Sequence, residues 1–151
     1  MIKNMRLLFY FFIFLFFLGC NNNDTQKNTT TQTNRCVHCG MHTEKYEQWQ
    51  GIIQDKGNTY STCSPRCLLL THIHNKKWVN ADLWLKDYYD QKKINAKKAF
   101  FVAGSKILGP MGSDFIPLTT KKDATLFLND NQGKKIFTFD EIDMKIIQQY
   151  Q

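Results

Sequence analysis

Residues 36 to 42 read CVHCGMH, placing two cysteines, two histidines and a methionine within seven positions. A second cysteine pair, Cys63 and Cys67, follows after 23 residues in the segment TCSPRC. A further methionine, Met111, stands in the tetrapeptide GPMG at 109–112. A packed apolar core has no use for that density of polar, oxidisable side chains, whereas a metal ion has. Thiolate and thioether are soft donors, and together they favour Cu(I) over hard cations such as Mg(II) or Ca(II). Cys39 and Met41 are two apart, so in an extended segment both project to one side. Pro110 suits the second position of a type I turn, which displays Met111 near the tip. The competing reading folds Met111 back to fill a gap in the core.

The four cysteines support more than one reading. The spacing C-x2-C, hairpin, C-x3-C suits a four-sulfur cage around structural Zn(II). Outside the cytoplasm the same residues suit a pair of disulfides. Cys67, inside an apolar helical run, also fits as a small buried hydrophobe. His42 is the nitrogen ligand nearest the first motif, and His38 lies inside it. His72 and His74 are two apart on a predicted helix, so they face away from each other and do not pair on one metal. A thiol-disulfide enzyme would place its C-x-x-C at a helix N-terminus, where the thiol pKa falls. After Cys36-Val37-His38-Cys39 comes Gly40 and no helical pattern. No serine-histidine-acid grouping, no phosphate-cradling glycine loop and no clustered acids suggest catalysis.

The chain begins MIKNMRLLFYFFIFLFFLGC. A basic start (Lys3, Arg6) leads into an apolar run from Leu7 to Leu18, shorter than the roughly 20 residues a spanning helix needs. It has the length of an export signal's apolar region. Gly19-Cys20 resembles a bacterial lipobox, with Phe17 where leucine is common. The expectation is a signal peptide at 1–19 and lipidation of Cys20. Several acyl chains then give the stable membrane anchor that one chain does not. Residues 20–35 beyond the lipidated cysteine carry no apolar side chain and are expected to be a flexible tether. The folded domain is expected at 36–151, enough chain for one modest core.

After processing, 18 of the 20 basic residues and all 13 acidic ones remain, a net of +5. The lysines come in scattered pairs, as on solvated faces, and no basic run with interleaved aromatics appears. Nucleic acid is therefore not an expected partner.

The elements that must position the sulfurs read as follows. Residues 47–62 form a hairpin around Lys56-Gly57-Asn58, with glycine and asparagine suited to positive φ. Ser64 caps a helix with Pro65 in its first position, running to about His74 and stopping at Asn75. Alternation predicts a strand at 79–85, and the continuously apolar 98–104 predicts a central one. A short extended stretch at 115–118 precedes a helix capped by Thr119 or Thr120, ending near Asn129. A strand at 136–139 and a last helix capped by Asp140, with Ile142, Ile146 and Ile147 at helical spacing, complete the chain. Residues 48–75 and 98–130 share the order strand, connection, strand, helix. The expected class is α+β, built from two β-β-α modules.

These residues together resemble the NosL family. The resemblance rests on the lipobox cysteine, the polar tether, C-G-M at 39–41, KKAFFVAGS at 97–105, LGPMG at 108–112, FIPL at 115–118 and DA-x-x-F at 123–127. It covers essentially the whole processed domain. It implies a membrane-anchored Cu(I)-binding metallochaperone lipoprotein with two β-β-α modules, a NosL/MerB-like fold. It further implies a periplasm-facing protein of the bacterial cell envelope that delivers copper to nitrous oxide reductase through an ABC-type maturation complex. Carried over by position, Cys39, Met41 and Met111 are the implied copper site, with His42 or Cys36 as a further ligand. TYSTCSPRC at 59–67, with CVHCGM, is also similar to YHS or TRASH modules. That resemblance implies that Cys36, Cys39, Cys63 and Cys67 form their own site, with Zn(II) as an alternative occupant.

Overall fold

The computed structural model describes residues 34–151. The expected signal peptide, Cys20 and residues 21–33 of the tether lie outside the described residues. Strands β1 (Gly51–Asp55) and β2 (Asn58–Thr62) form an antiparallel hairpin. Its two-residue turn puts Lys56 and Gly57 at positive φ, 47° and 80°. This is the type I′ pattern, whose twist matches that of the strands. Asn58, expected in the turn, instead opens β2. Helix α1 (Pro65–His74) starts where the sequence predicts, with Ser64 Oγ accepting from the Cys67 N–H at 3.3 Å and Asn75 ending it. Strand β3 (Asp82–Lys86) is shorter than the expected 79–85, because Lys76–Trp78 forms a 3-10 turn that leaves Val79 exposed at its exit. A strand the sequence does not announce, β4 (Lys93–Asn95), pairs with β3.

The second half begins with β5 (Phe100–Ala103). A small hairpin follows, β6 (Leu108–Gly109) and β7 (Gly112–Ser113), with Pro110 and Met111 at its tip. Then come β8 (Ile116–Leu118), helix α2 (Lys121–Asp130) and β9 (Lys135–Thr138). Thr120 caps α2, accepting from the Asp123 N–H at 3.1 Å. Asp140 does not cap the last helix. Phe139–Glu141 is a 3-10 turn closed by Thr138 and Glu141, and α3 (Met144–Gln149) is capped by Asp143, which accepts from the Ile146 N–H at 2.8 Å. Two aspartates three residues apart carry the same cap signal, and the Thr138–Glu141 capping box claims the first turn. Ile142 is therefore buried ahead of the helix and not on it.

The two expected β-β-α modules are present, and the repeat extends to a third strand. The first sheet runs β2-β1-β3-β4 and the second β8-β5-β9. In each, the first strand is central and antiparallel to both neighbours. One core joins the modules, with Ile53, Leu68, Leu83 and Leu85 meeting Phe101, Phe115, Phe137 and Ile147. On the other face of β5, Val102 packs with Ile116, Leu118, Ala124 and Phe127 under α2. Burial on both faces is why β5 reads as an unbroken apolar run. Among the described residues no helix is long and apolar enough to cross a membrane.

Candidate metal centre

Three segments meet at one end of the first module. The first is the knuckle at 36–42. Its loop is closed by the Cys36 N–H on the Met41 carbonyl and the Gly40 N–H on the Cys36 carbonyl, both at 2.8 Å. Arg35 Nη1 donates to the Gly40 carbonyl at 3.0 Å. Cys36 forms a parallel bridge with Ser61, and the Val37 N–H reaches the Ser61 carbonyl at 2.9 Å, tying the knuckle to the end of β2. The second segment is the junction of β2 and α1, with Cys63 just ahead of the cap and Cys67 in the first helical turn. The third is the β6–β7 turn. There the positive φ falls on Gly112 (97°) and not on Pro110 or Met111, as in a type I turn closed by a left-handed glycine.

All four thiol sulfurs lie within 4.8 Å of one another. Cys63 is the hub, with its Sγ 3.5 Å from those of Cys39 and Cys67. Met111 Sδ lies 3.9 Å from Cys63 Sγ and 3.8 Å from Cys67 Sγ. Met41 packs against Cys36, Cys63 and Cys67. A metal about 2.3 Å from each sulfur needs sulfur–sulfur edges of about 3.8 Å in a tetrahedral site and about 4.0 Å in a trigonal one. The four contacts of 3.5 to 3.9 Å lie within about 0.5 Å of both, in a cluster whose thiol sulfurs span up to 4.8 Å.

Burial divides these donors. Cys36, Cys63 and Cys67 form a floor closed to solvent, while Cys39 and Met111, the latter 49% exposed, form a lip. Hydrogen bonds from the Cys63 and Cys67 thiols pull the Cys36 thiol far below its ordinary pKa. The same pairing with Cys36, then with Cys63, and then burial push Cys67 up, and pairing with Cys36 pushes Cys63 up as well. A metal that takes these sulfurs as thiolates must displace their protons.

A NosL family model matches residues 27–147. The chain belongs to the NosL family. It is similar to the crystal structure of the copper chaperone NosL from Shewanella denitrificans, with a TM-score of 0.65 and 29% identity, covering 75% of this chain and 92% of that one. Comparison with curated proteins gave no match.

The NosL motif residues reach the cluster by different contacts. Met111 touches Cys63 and Cys67, Cys39 touches Cys63, and Met41 lies along the floor. His42 is exposed and outside the thiol group. His72 tilts against Phe139 with ring centres 5.1 Å apart, and His74 stacks on His38 at 6.2 Å, so the two do face apart. The cysteine pair that flanks a helix N-terminus is Cys63 and Cys67, not Cys36 and Cys39, which removes the local feature a C-V-H-C redox enzyme needs. Sequence reasoning did not single out Asp114 and Arg66, which join the Met111 hairpin to α1. Its one available signal was an acid set directly against the apolar run Phe115-Ile116.

Proposed function

We propose that this NosL protein is a Cu(I) chaperone that binds its cargo in the sulfur cluster and passes it on through the lip. The single observation that carries this is the Met111 thioether, half exposed yet within 3.9 Å of two buried thiols. A structural zinc cage is complete with four thiolates and takes cysteine, histidine or carboxylate, not thioether. Cu(I) takes both sulfur types. The floor supplies affinity, and the exposed Cys39 and Met111 are the donors an incoming partner can displace. The chain is a metal carrier and not an enzyme.

The finer reading is that Cys20 is lipidated, that the anchored domain faces the periplasm, and that copper goes to nitrous oxide reductase through an ABC-type complex. Its support is the lipobox-like Gly19-Cys20, the apolar-free stretch behind it and membership of NosL.

The test is an anaerobic titration of the full chain with Cu(I) against a chromophoric chelator, repeated with Zn(II). Met111→Leu and Cys63→Ser are expected to weaken Cu(I) binding, and Met111→Leu to leave Zn(II) binding unchanged. Zinc displacing copper, with Met111→Leu without effect on either metal, would establish the structural zinc module instead. The client is tested by the copper content of nitrous oxide reductase produced with the chain, without it, and with Met111→Leu. Equal copper loading in all three would remove this client.

A further inference from the structure

Asp114 follows directly after the Met111 hairpin and is only 3% exposed. One of its oxygens, Oδ1, accepts the N–H of Phe115 and the N–H of Arg66, both at 2.8 Å. Arg66 is the second residue of α1 and immediately precedes Cys67. Its side chain crosses in the other direction, with Nη1 donating to the Ser113 carbonyl at 3.1 Å. Helix and hairpin are therefore stitched from both sides, and the Ser64 side chain at the helix cap adds a further bond to the Asp114 carboxyl. At the far strand of the hairpin, a Cβ on Gly109 would fall 2.5 Å from Asp114 Oδ2, so the bare backbone there is what lets the carboxylate sit beneath the turn.

A hairpin with two residues in each strand has no stability of its own in water. Met111 also has three rotatable side-chain bonds and half its surface in solvent. Left loose, it would have to be ordered at the moment of binding, and that cost would come out of the affinity. On the copper reading above, we propose that Asp114, with Arg66, is a positioning residue that clamps the β6–β7 hairpin to the N-terminus of α1 and holds the Met111 thioether over Cys63 and Cys67. Its role is to preorganise a donor and not to be one.

The full chain is titrated anaerobically with Cu(I) against a chelator as wild type, Asp114→Ala, Met111→Leu and the double variant. Asp114→Ala is expected to weaken binding about 10- to 100-fold, the range for groups that orient a metal's ligands. The double variant should bind no more weakly than Met111→Leu, because the clamp acts only through the thioether. Asp114→Asn keeps an acceptor oxygen for both N–H groups and should restore most of the affinity. Arg66→Ala opens only the second stitch and carries the test where Asp114→Ala does not fold. It should give a smaller loss that also vanishes in the Met111→Leu background. Losses that multiply in the double variants, or wild-type affinity in both Asp114→Ala and Arg66→Ala, overturn the proposal. A wild type that binds no Cu(I) overturns the copper reading instead. The clamp is then tested without metal, from the Met111 methyl resonance. Movement toward the position of free methionine in Arg66→Ala supports it, and an unmoved resonance overturns it.

Discussion

The two modules start their helices in the same way and use the start differently. In α1 the five residues around the cap are Cys63-Ser64-Pro65-Arg66-Cys67, and in α2 they are Thr119-Thr120-Lys121-Lys122-Asp123. The cap oxygen accepts from the third helical N–H in both, at 3.3 Å from Cys67 and 3.1 Å from Asp123. Each helix start also receives a buried aspartate from the other module. Asp114 takes the Arg66 N–H at 2.8 Å, and Asp87 takes the N–H and hydroxyl of Thr119 at 2.7 Å. At the two positions where α1 carries sulfur, α2 carries ordinary capping chemistry, with Thr119 bonded to Asp87 and Asp123 to Thr120 Oγ1 at 2.6 Å. The fold thus offers the same pair of side-chain positions twice, and one copy carries two buried thiols of the candidate metal centre. The site is grafted onto the fold and does not follow from it.

If the modules truly share one core, damage in one must be felt by both. Phe101→Ala, at the centre of that core, should cost about 3–5 kcal/mol. Urea unfolding followed by tryptophan fluorescence and by far-UV circular dichroism should give one transition. Trp78 and Trp84 report on the first module while Trp49 packs against the Val102 cluster of the second, so separate transitions would divide the molecule in two.

The paired aspartates can be separated next. Burial pushes the Asp114 carboxyl up to about 6 despite its hydrogen bonds to Ser64 and to the Phe115 and Arg66 N–H groups. The unfolded chain loses that proton near the ordinary value of 3.8. Between these values the folded state binds more protons than the unfolded one. Stability from this group is therefore greatest at the acid end of the window and is lost as pH rises through about 6. Asp114→Asn, which cannot ionise, should gain on the wild type between pH 4 and 7 by about 2 kcal/mol, read by urea denaturation at each pH. An unchanged gap would mean that the carboxylate is far better solvated than its surroundings suggest. Asp87→Ala is the counterpart. It strands the Thr119 and Tyr89 N–H groups and should cost about 2 kcal/mol, with Cu(I) affinity unchanged. Any loss of affinity there would erase the distinction between the two helix starts.

Much of this architecture is legible in the sequence, and what is not has physical reasons. Ser64-Pro65 and Thr120 announce helices because capping is local, and β5 is plain because both its faces are buried. Strand β4 is three residues, Lys93-Ile94-Asn95, whose pairing with β3 is decided by the neighbour and not by alternation. Asp140 and Asp143 are equivalent as caps until the Thr138–Glu141 box is seen. At the site, the cysteine spacings can be read directly, while Met111 reads equally as a turn-tip donor or a core filler, and only the structure shows it exposed. That Met111 lands on Cys63 and Cys67 cannot be read, because it depends on a connection from β5 to β8 folding back over α1. Asp114 is hidden for the same reason, since a single acid after a turn normally faces water.

The smallest expected effect contrasts the two turns that occupy equivalent places, one between β1 and β2 and the other within the connection from β5 to β8. Gly57 and Gly112 both hold positive φ, 80° and 97°, and a Cβ at either would meet no atom within 4 Å. Alanine is therefore penalised at both by backbone conformation alone, about 1 kcal/mol each. In thermal denaturation the two variants should look alike. They should part in Cu(I) titration, because relaxing the backbone at Gly57 moves only Lys56 and Asn58, whereas relaxing it at Gly112 shifts the residue beside Met111. Gly112→Ala should thus weaken Cu(I) binding while Gly57→Ala leaves it alone. Equal affinity in both would show that the thioether follows the cluster wherever its turn goes, and that the second turn's glycine serves the hairpin and not the metal.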